Sequence, residues 1–488
     1  MLRTADPGHA WSAGAVAESR KWISLGFIAL AQLMIALDAT IVNIALPSVQ
    51  RALGFSDAQR QWVITAYTLA FAGLLLLGGR IADYAGQKRA FLIGLIGFGA
   101  ASALGGAASD FRHLVGARAL QGAFGAMLAP AALSLLAVTF TEPRERAKAF
   151  AVYGGIAGSG GLAGLVLGGL VTQYLNWRWC LYINVIIAAI AAGGGRAVLV
   201  HHASGGKPRL DIPGVLLAAG GLAAVVYACA EAVPLGWGSR PVFAFFAAAA
   251  VSMTLFVLRQ ARTAAPLLPL RIVADRNRGG ACVTAALAVV GMSGVFMLLT
   301  YYFQVVLSYS PLAAGLAFLP LTLALLAGSG LIASRLLPYV PPRALMSPGL
   351  LVAAAGMALL AGLRIDSRYL PHILPAEIVV GLGMGCVMVP AFSVGTQGVE
   401  RSEIGVAAAT VNTAQQVGGS VGTALLNTIA TGVTAASMAF PAEGPAGRLV
   451  ALVHGYAAAT RWAVVVFVVA AALAALMIDV GAPQRRPG

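Results

Sequence analysis

Long apolar runs separated by short polar segments follow one another along the whole chain. About 20 apolar residues are enough to cross a bilayer as a helix, so the pattern predicts fourteen membrane-spanning helices. The windows do not alternate apolar and polar residues as membrane β-strands do, and the predicted class is an all-α membrane protein. The predicted spans are residues 22–46, 61–79, 90–108, 113–138, 149–172, 180–199, 212–231, 241–258, 279–306, 312–334, 344–363, 371–395, 404–431 and 461–480.

The composition favours a membrane protein over a soluble or nucleic-acid-binding one. Of the 488 residues, 59% are hydrophobic and only 10% are charged, whereas soluble domains carry about 25% charged residues. The net charge of +15 comes from basic residues scattered between apolar runs, not gathered on one face. The cysteines (Cys180, Cys229, Cys282 and Cys386) lie far apart, so neither a disulfide framework nor a metal site is expected.

The basic residues also predict the orientation. Most of the 32 lysines and arginines lie in segments that share one side of the membrane with the N-terminus, and positive charge is enriched in cytosolic loops. We therefore expect a multi-pass protein of the cell membrane with both termini in the cytosol. The polar N-terminus and the long first apolar run do not resemble a cleavable signal. Residues 432–460 are expected to form the longest outer loop.

A weak internal repeat predicts the domain organisation. Leu-Gly-Phe-Ser at 53–56 aligns with Leu-Ser-Tyr-Ser at 307–310, and the same shift places Arg89 on Arg343. Two six-helix bundles with two extra helices between them would explain this offset, and parallel repeats around a midplane site are typical of transporters. The expected parts are a cytosolic tail 1–21, a first bundle 22–200, a linker with the extra helices 201–260, a second bundle 261–480 and a cytosolic tail 481–488.

A single carboxylate, Asp38, interrupts the first apolar run. An acid in a spanning helix costs about 2.5–3.5 kcal/mol on insertion scales, which makes it a functional hypothesis by default. The alternative is an acid that merely pairs with a neighbouring helix. Arg118 lies inside the fourth span, about 7.5 Å from its outer end, and Asp38 lies about 12 Å from the outer end of its own span. We predict that Asp38 pairs with Arg118 when ionised and releases it when protonated.

Glycines mark two further segments. The loop 79–89 between spans two and three combines turn-forming glycines with an acid and a basic pair, and an ordinary basic loop is the alternative. Span five repeats glycine at every third or fourth position, which gives a small face for close helix packing or for sliding. The residues of the two segments are Gly79, Asp83, Gly86, Lys88 and Arg89 in the loop, and Gly154, Gly158, Gly161, Gly164 and Gly168 in span five.

These residues resemble the major facilitator superfamily, and within it the fourteen-helix drug:proton antiporter branch. The loop 79–89 is similar to the superfamily signature, residues 37–47 to the branch's motif in helix one, and Arg118-Ala119-Leu120-Gln121-Gly122 to its motif in helix four. In the helix-five motif Gly164, Gly168 and Gly169 are present, but Leu165 replaces a proline associated with exporters. The resemblance implies that Asp38 and Arg118 couple transport to protons, and that the loop and the helix-five glycines act in the conformational change.

The predicted function is proton-coupled export of small amphipathic organic compounds, such as antibiotics, by alternating access. The alternative is a carrier of the same fold for a sugar, siderophore or metabolite, which could work as an importer. We expect no enzyme activity, no metal, and no cofactor other than the proton gradient. Substrate, bilayer and protons are the expected partners of a monomer. A cavity is predicted to be lined by Asn43, Trp62, Tyr67, Tyr301, Tyr302, Gln304, Glu377, Asn412 and Gln415, although aromatics at the lipid interface and a solvated Glu377 are equally open.

Overall fold

The computed structural model describes residues 7–482, apart from 58, 141, 201–210, 264–265, 269, 400–403 and 439–444. The described residues form long helices and contain no β-strand. Each predicted span falls on one of them, so the predicted all-α class is confirmed. The helices are α1 Pro7–Leu53, α2 Gln61–Ala85, α3 Gln87–Gly106, α4 Phe111–Thr139, α5 Pro143–Tyr174, α6 Trp179–Val198, α7 Ile212–Leu235, α8 Arg240–Arg262, α9 Arg276–Val306, α10 Pro311–Leu336, α11 Arg343–Leu360, α12 Tyr369–Gly395, α13 Ile404–Met438 and α14 Pro445–Met477.

Twelve of these helices are long and apolar enough, over their described residues, to cross a membrane. The other two are α2, which contributes a shorter apolar stretch at Gln61–Leu75, and α5, which has 32 residues. The chain is thus a multi-pass membrane protein. Three helices contain a π-helical turn, at Tyr302–Val306 in α9, Gly328–Ala333 in α10 and Tyr369–Ile373 in α12. Such turns are rare and are frequently found at functional sites.

Local chemistry explains where several helices begin. The side chain of Asp110 accepts a hydrogen bond from the amide N–H of His113 and caps α4, and Ser310 caps α10 in the same way through the N–H of Ala313. These caps satisfy amide groups that have no partner within the helix. Gly86 joins α2 to α3 with a φ of 88°, a conformation that residues with a side chain rarely adopt.

Helices α7 and α8 stand outside the two halves formed by α1–α6 and α9–α14. Helix α7 packs on α2, where a Cβ on Gly73 would lie 3.0 Å from the Cβ of Ala219. It also packs on α13, since the Thr428 hydroxyl donates to the Cys229 carbonyl at 2.8 Å. The two extra helices therefore cover the line along which α2 and α13 meet. The first residues of the predicted linker segment 201–260, residues 201–210, lie outside the described residues.

The predicted outer loop at 432–460 is wrong. Helix α13 continues to Met438 and α14 begins at Pro445. The segment that was expected to be a loop carries Ala451, Leu452 and Val453, which are buried in the structure. Burial of these apolar side chains favours the helix over a solvated loop, although Arg448 and His454 interrupt the apolar pattern in the sequence.

Candidate functional site

The structure brings Asp38 of α1 and Arg118 of α4 into direct contact. Arg118 Nη1 donates to Asp38 Oδ2 at 2.6 Å, and the two side chains are 2% and 0% exposed respectively. The contact occurs between residues 80 positions apart in the chain, in the interior of the first half. This is the pairing expected from the depth of the two residues along their helices.

Two amide side chains complete the shell around Asp38. Asn184 of α6 donates from Nδ2 to Asp38 Oδ1 at 2.7 Å, and Gln121 of α4 donates from Nε2 to the same oxygen at 3.0 Å. Gln121 is itself held by Ser102 of α3, whose hydroxyl oxygen accepts from Nε2 at 2.7 Å. The carboxylate thus receives donors from two helices besides its own, which is the arrangement that stabilises a buried negative charge.

Arg118 connects this acid to the beginning of α2. Its Nε donates to the carbonyl oxygen of Val63 at 3.0 Å, and its Nη1 also donates to Gln121 Oε1 at 2.9 Å. The guanidinium carbon lies 4.5 Å from the centroid of the Tyr67 ring, within the range of a cation–π contact. A change in the charge of Asp38 would therefore alter the contacts of Arg118 with the first turns of α2.

The chemistry of this site is that of a switchable ion pair. An ionised carboxyl group only accepts hydrogen bonds, whereas a protonated one is neutral and can donate. Removing one partner of a buried ion pair leaves an uncompensated charge and costs about 3–5 kcal/mol. Protonation of Asp38 would have a similar local effect, because it removes the charge that Arg118 balances. The site can thus convert a bound proton into a structural change.

The two halves of the molecule are joined by hydrogen bonds near one end, which we call the closed end. It is formed by residues 44–60 of the first half and by residues 301–315 and 420–428 of the second. Gln304 Nε2 donates to the Ile44 carbonyl at 2.8 Å, and the Tyr301 hydroxyl donates to Gln50 Oε1 at 2.5 Å. Nearer the middle, the Ser420 hydroxyl donates to the Thr68 hydroxyl at 2.8 Å.

Arg60 is the charged residue at the centre of the closed end. Its Nε donates to Asn427 Oδ1 at 2.8 Å, and its guanidinium carbon lies 4.0 Å from the ring centroid of Tyr301. Asp57 is its nearest acid, with Oδ1 at 3.7 Å from Nη1. The side chain of Arg60 is only 1% exposed. This burial was not predicted from the sequence.

The glycines of α5 allow two close helix contacts. A Cβ on Gly164 would lie 2.9 Å from the Leu37 carbonyl oxygen, and one on Gly168 would lie 2.9 Å from the Ile41 carbonyl oxygen, so both face α1. Gly169 faces the second half, because a Cβ there would lie 2.6 Å from the carbonyl oxygen of Pro311 in α10. The surroundings of Gly154 and Gly158 lie outside what the structure describes.

Replacing Gly169 by valine is expected to separate α5 from α10 at the closed end. The added carbon atoms have no room against the backbone of Pro311, so the helices must move apart. The distance between spin labels at Tyr174 and Leu370, which are exposed in the first and second half, should lengthen in the variant. Gly161→Ala is the matched control, because its Cβ would make only an ordinary contact of 3.9 Å with Thr40. An unchanged distance distribution in Gly169→Val would contradict this assignment.

The loop 79–89 shows a structural role for several of its predicted residues. Lys88 Nζ donates to the carbonyl oxygens of Arg196 and Leu199 at 2.9 and 2.6 Å, which ties α3 to the end of α6. Gly86 supplies the turn with positive φ. Gly79 lies in α2 and Arg89 is exposed at the beginning of α3, whereas the side chain of Asp83 lies outside the described residues.

The predicted cavity residues do not converge on one surface in the described structure. Tyr67 covers Arg118, Tyr301 packs under Arg60, and Glu377 lies inside the second half. The others are spread among several contacts: Trp62 with Tyr227 of α7, Tyr302 with the Arg364 carbonyl, Gln304 with Ile44, Gln415 with Met388, Asn43 with the Ala39 carbonyl, and Asn412 half-buried on α13. A role of these residues in substrate binding stays a prediction.

Two six-helix halves that meet at one end, with a buried acid–arginine pair in one half, have the architecture of a secondary membrane transporter. The sequence profile of the Major Facilitator Superfamily matches residues 28–423, which is most of the chain. This protein belongs to the Major Facilitator Superfamily. The resemblance inferred from the motifs is confirmed, as is the expectation of a transporter and not an enzyme.

Several relatives have names that refer to antibiotics. The chain is 53% identical to a puromycin resistance protein of Streptomyces alboniger over 95% of this chain and 92% of the relative. It is 37% identical to a cephamycin export protein of Amycolatopsis lactamdurans, over 85% of each chain. A lincomycin resistance protein of Streptomyces lincolnensis is 34% identical, again over 85% of each chain.

Solved structures agree with the fold. A bacterial homologue of the human lysosomal transporter Spinster, in an inward-facing and unoccupied conformation, superposes with a TM-score of 0.68. The match covers 94% of this chain and 97% of that one, at 16% sequence identity. At this identity the likeness shows the shared fold alone.

Proposed function

We propose that this protein is a proton-coupled secondary transporter that exports small amphipathic organic compounds, with an antibiotic as the natural substrate. The buried contact of 2.6 Å between Asp38 and Arg118 carries the proposal, because it places a protonatable group inside a transporter fold. The relatives named for antibiotic resistance and export support the choice of substrate class. The proton gradient is the driving force, and no other cofactor is required.

The orientation of the protein in the cell membrane is the first part of the proposed cycle. The distribution of basic residues favours a cytosolic location for both termini. With this orientation the closed end lies on the outer side, and we assign the structure to the cytosol-facing state of the cycle. Substrate binds in this state between the two halves. The halves then rock about the site and release it outside, and a monomer is sufficient for this alternating access.

The proton acts through α2 in this mechanism. In the outward-open state a proton from the outer side neutralises Asp38, and Arg118 then keeps only its bonds to Gln121 and the Val63 carbonyl and its contact with Tyr67. Val63 is one helical turn from Arg60, which holds the closed end through Asn427. Movement of Arg118 is thereby transmitted to the contact between the halves. The closed end then forms, and release of the proton to the cytosol restores the ion pair.

Inverted membrane vesicles that contain the protein should take up labelled puromycin when their lumen is acidified. In these vesicles the lumen corresponds to the cell exterior, so protons leaving it drive an exporter to carry the compound inwards. Collapse of the pH gradient with an ionophore should abolish the uptake. Asp366→Asn, which removes an exposed loop carboxylate, should leave the uptake unchanged. Failure of an acid lumen to drive uptake of any compound in a panel of antibiotics would contradict proton-coupled export.

One observation favours a second candidate function. Leu165 stands where the helix-five motif of exporters has a proline, and its carbonyl oxygen would lie 2.4 Å from a Cβ on Gly315 of α10. An unbroken α5 at this contact is compatible with a carrier of a sugar, siderophore or metabolite that works inwards. The same vesicles distinguish the two functions, because such a carrier would move its substrate out of an acidified lumen with the protons.

A further inference from the structure

A second buried acid, Glu377, lies in the opposite half from Asp38. It is 0% exposed and stands two helical turns below Tyr369 in α12, about 12 Å along the helix. Its Oε1 has no hydrogen-bond partner among the described residues, and its Oε2 lies 3.2 Å from the hydroxyl oxygen of Tyr369. Asp38 receives three side-chain donors including an arginine, whereas Glu377 contacts one neutral hydroxyl group.

The hydrogen bonds of Tyr369 determine where a proton must be. The phenol has a single hydrogen to donate, and its nearer acceptor is the carbonyl oxygen of Ala317 in α10, at 2.8 Å. With that hydrogen used, the contact between Tyr369 and Glu377 Oε2 is a hydrogen bond only if the carboxyl group donates. Both contacts are satisfied together when Glu377 carries a proton on Oε2.

The surroundings of Glu377 agree with a neutral carboxyl group. A buried carboxylate without a countercharge or several donors is strongly disfavoured, and such a group takes up a proton instead. The residues one to four positions from the acid on its own helix include the buried apolar Ile373, Ala376 and Val380. In the described part of the chain no cation is paired with it. The titratable groups near this end of α12 are Tyr369, with Tyr309 beyond it, and the exposed side chains of Arg364, Asp366, Arg368 and His372.

Tyr369 connects this acid to the contact between the two halves. Ala317 ends the first helical stretch of α10, and the same stretch contains Pro311 and Gly315, which lie against Gly169 and Leu165 of α5. The hydrogen bond from Tyr369 thus holds the part of α10 that touches α5. A change at Glu377 that redirects the Tyr369 hydroxyl would release this part of α10.

We propose that Glu377 and Tyr369 form a second proton-binding site, which is loaded in this structure and controls the contact between α5 and α10. This rests on the proposed proton-coupled function. When Glu377 loses its proton to water on the cytosolic side, the Tyr369 hydroxyl turns from the Ala317 carbonyl and donates to Glu377 Oε2. One O–H bond of the acid breaks, one proton leaves, and α10 loses its bond to α12. Each half therefore carries one proton site. In the state described here Asp38 is ionised and Glu377 is protonated.

Infrared difference spectroscopy on the purified full-length protein tests the site directly. Wild type and Asp38→Asn should both show the carbonyl stretch of a buried protonated carboxylic acid, and this band should disappear reversibly as the pH is raised. Glu377→Gln should lack the band. Tyr369→Phe should keep the band at a shifted frequency, because the acid has lost its acceptor. An unchanged band in Glu377→Gln would overturn the proposal, and so would a band that persists at every pH the protein tolerates, since the proton would then be fixed.

Transport measurements give the second arm of the test. The ratio of protons to puromycin, obtained from the pH gradient that just balances a substrate gradient, should fall by one in Glu377→Gln while driven uptake continues. The amide side chain resembles the neutral acid in size, so this variant is expected to fold, and Asp366→Asn serves as the control. An unchanged ratio would overturn the proposal. The absence of driven uptake in wild type would instead contradict the proposed function, and the infrared result would still decide whether Glu377 binds a proton.

Discussion

Replacement of Asp38 by asparagine is expected to abolish proton-driven transport while leaving downhill exchange intact. The amide keeps an oxygen that can accept from Asn184 and Gln121, so the shell of Asp38 is preserved, but it can no longer bind or release a proton. Uptake into inverted vesicles with an acidified lumen should fall to the level of vesicles without the protein. Counterflow, in which substrate on one side exchanges with substrate on the other, should continue because it needs no net proton movement.

A second variant separates the loss of proton coupling from the loss of stability that an unpaired Arg118 causes. Loss of one partner of a buried ion pair costs about 3–5 kcal/mol, which could reduce the amount of folded protein. The double variant Asp38→Asn with Arg118→Gln removes both charges and therefore avoids this cost. It should show the same loss of driven uptake with normal thermal stability. Retention of full pH-dependent uptake by either variant would show that the proton is coupled elsewhere, and Glu377 would be the next residue to examine.

The second large effect is expected at Arg60, whose replacement by glutamine should open the closed end. The glutamine amide can still donate to Asn427, but the positive charge and its contact with the Tyr301 ring are lost. Hydrogen bonds to charged groups contribute about 1.5–3 kcal/mol, so a change of about 2 kcal/mol would shift the ratio of open to closed molecules by about 30-fold. Distances between spin labels at Tyr174 and Leu370 report the two populations.

Arg51→Gln is the matched control for Arg60. Arg51 is exposed at the end of α1 and binds the Pro47 carbonyl and the Ser48 hydroxyl of its own helix, so it makes no contribution to the joining of the halves through these bonds. Its replacement should leave the label distances unchanged. A closed population in Arg60→Gln equal to that of wild type would show that Arg60 does not hold the two halves together.

The sequence predicts the helical class and the central ion pair well, for a single physical reason. In apolar runs a charged residue is expensive, so Asp38 and Arg118 are conspicuous, and the rise per residue of a helix places them at comparable depth. The same reasoning could have paired Gln121 and Asn184 with Asp38, because polar side chains inside spans also require partners. The signals that the sequence offers for this are their positions on α4 and α6 and, for Gln121, its place in the helix-four motif.

Residues near helix ends were predicted less well, because there the sequence does not distinguish solvent from a partner helix. Arg60 follows a loop and has the pattern of a solvated cation, yet the second half of the molecule buries it. Tyr67 and Tyr301 are aromatic residues of the kind that line cavities, but each is used to pack against an arginine. The beginning of α14 was missed for a related reason, since Arg448 and His454 lower the hydropathy of a segment whose other side chains are buried.

The position of α7 and α8 has a consequence for the route that a lipophilic molecule can take through the bilayer. The pair covers the line between α2 and α13, and residues such as Phe243 and Val251 of α8 face outwards, 63% and 58% exposed. On this side α7 and α8 stand between the lipid acyl chains and the contact of α2 with α13. The line between α5 and α10 has no such screen from α7 and α8. A solute that arrives from a membrane leaflet therefore meets an additional barrier of two helices on one flank of the protein and not on the other.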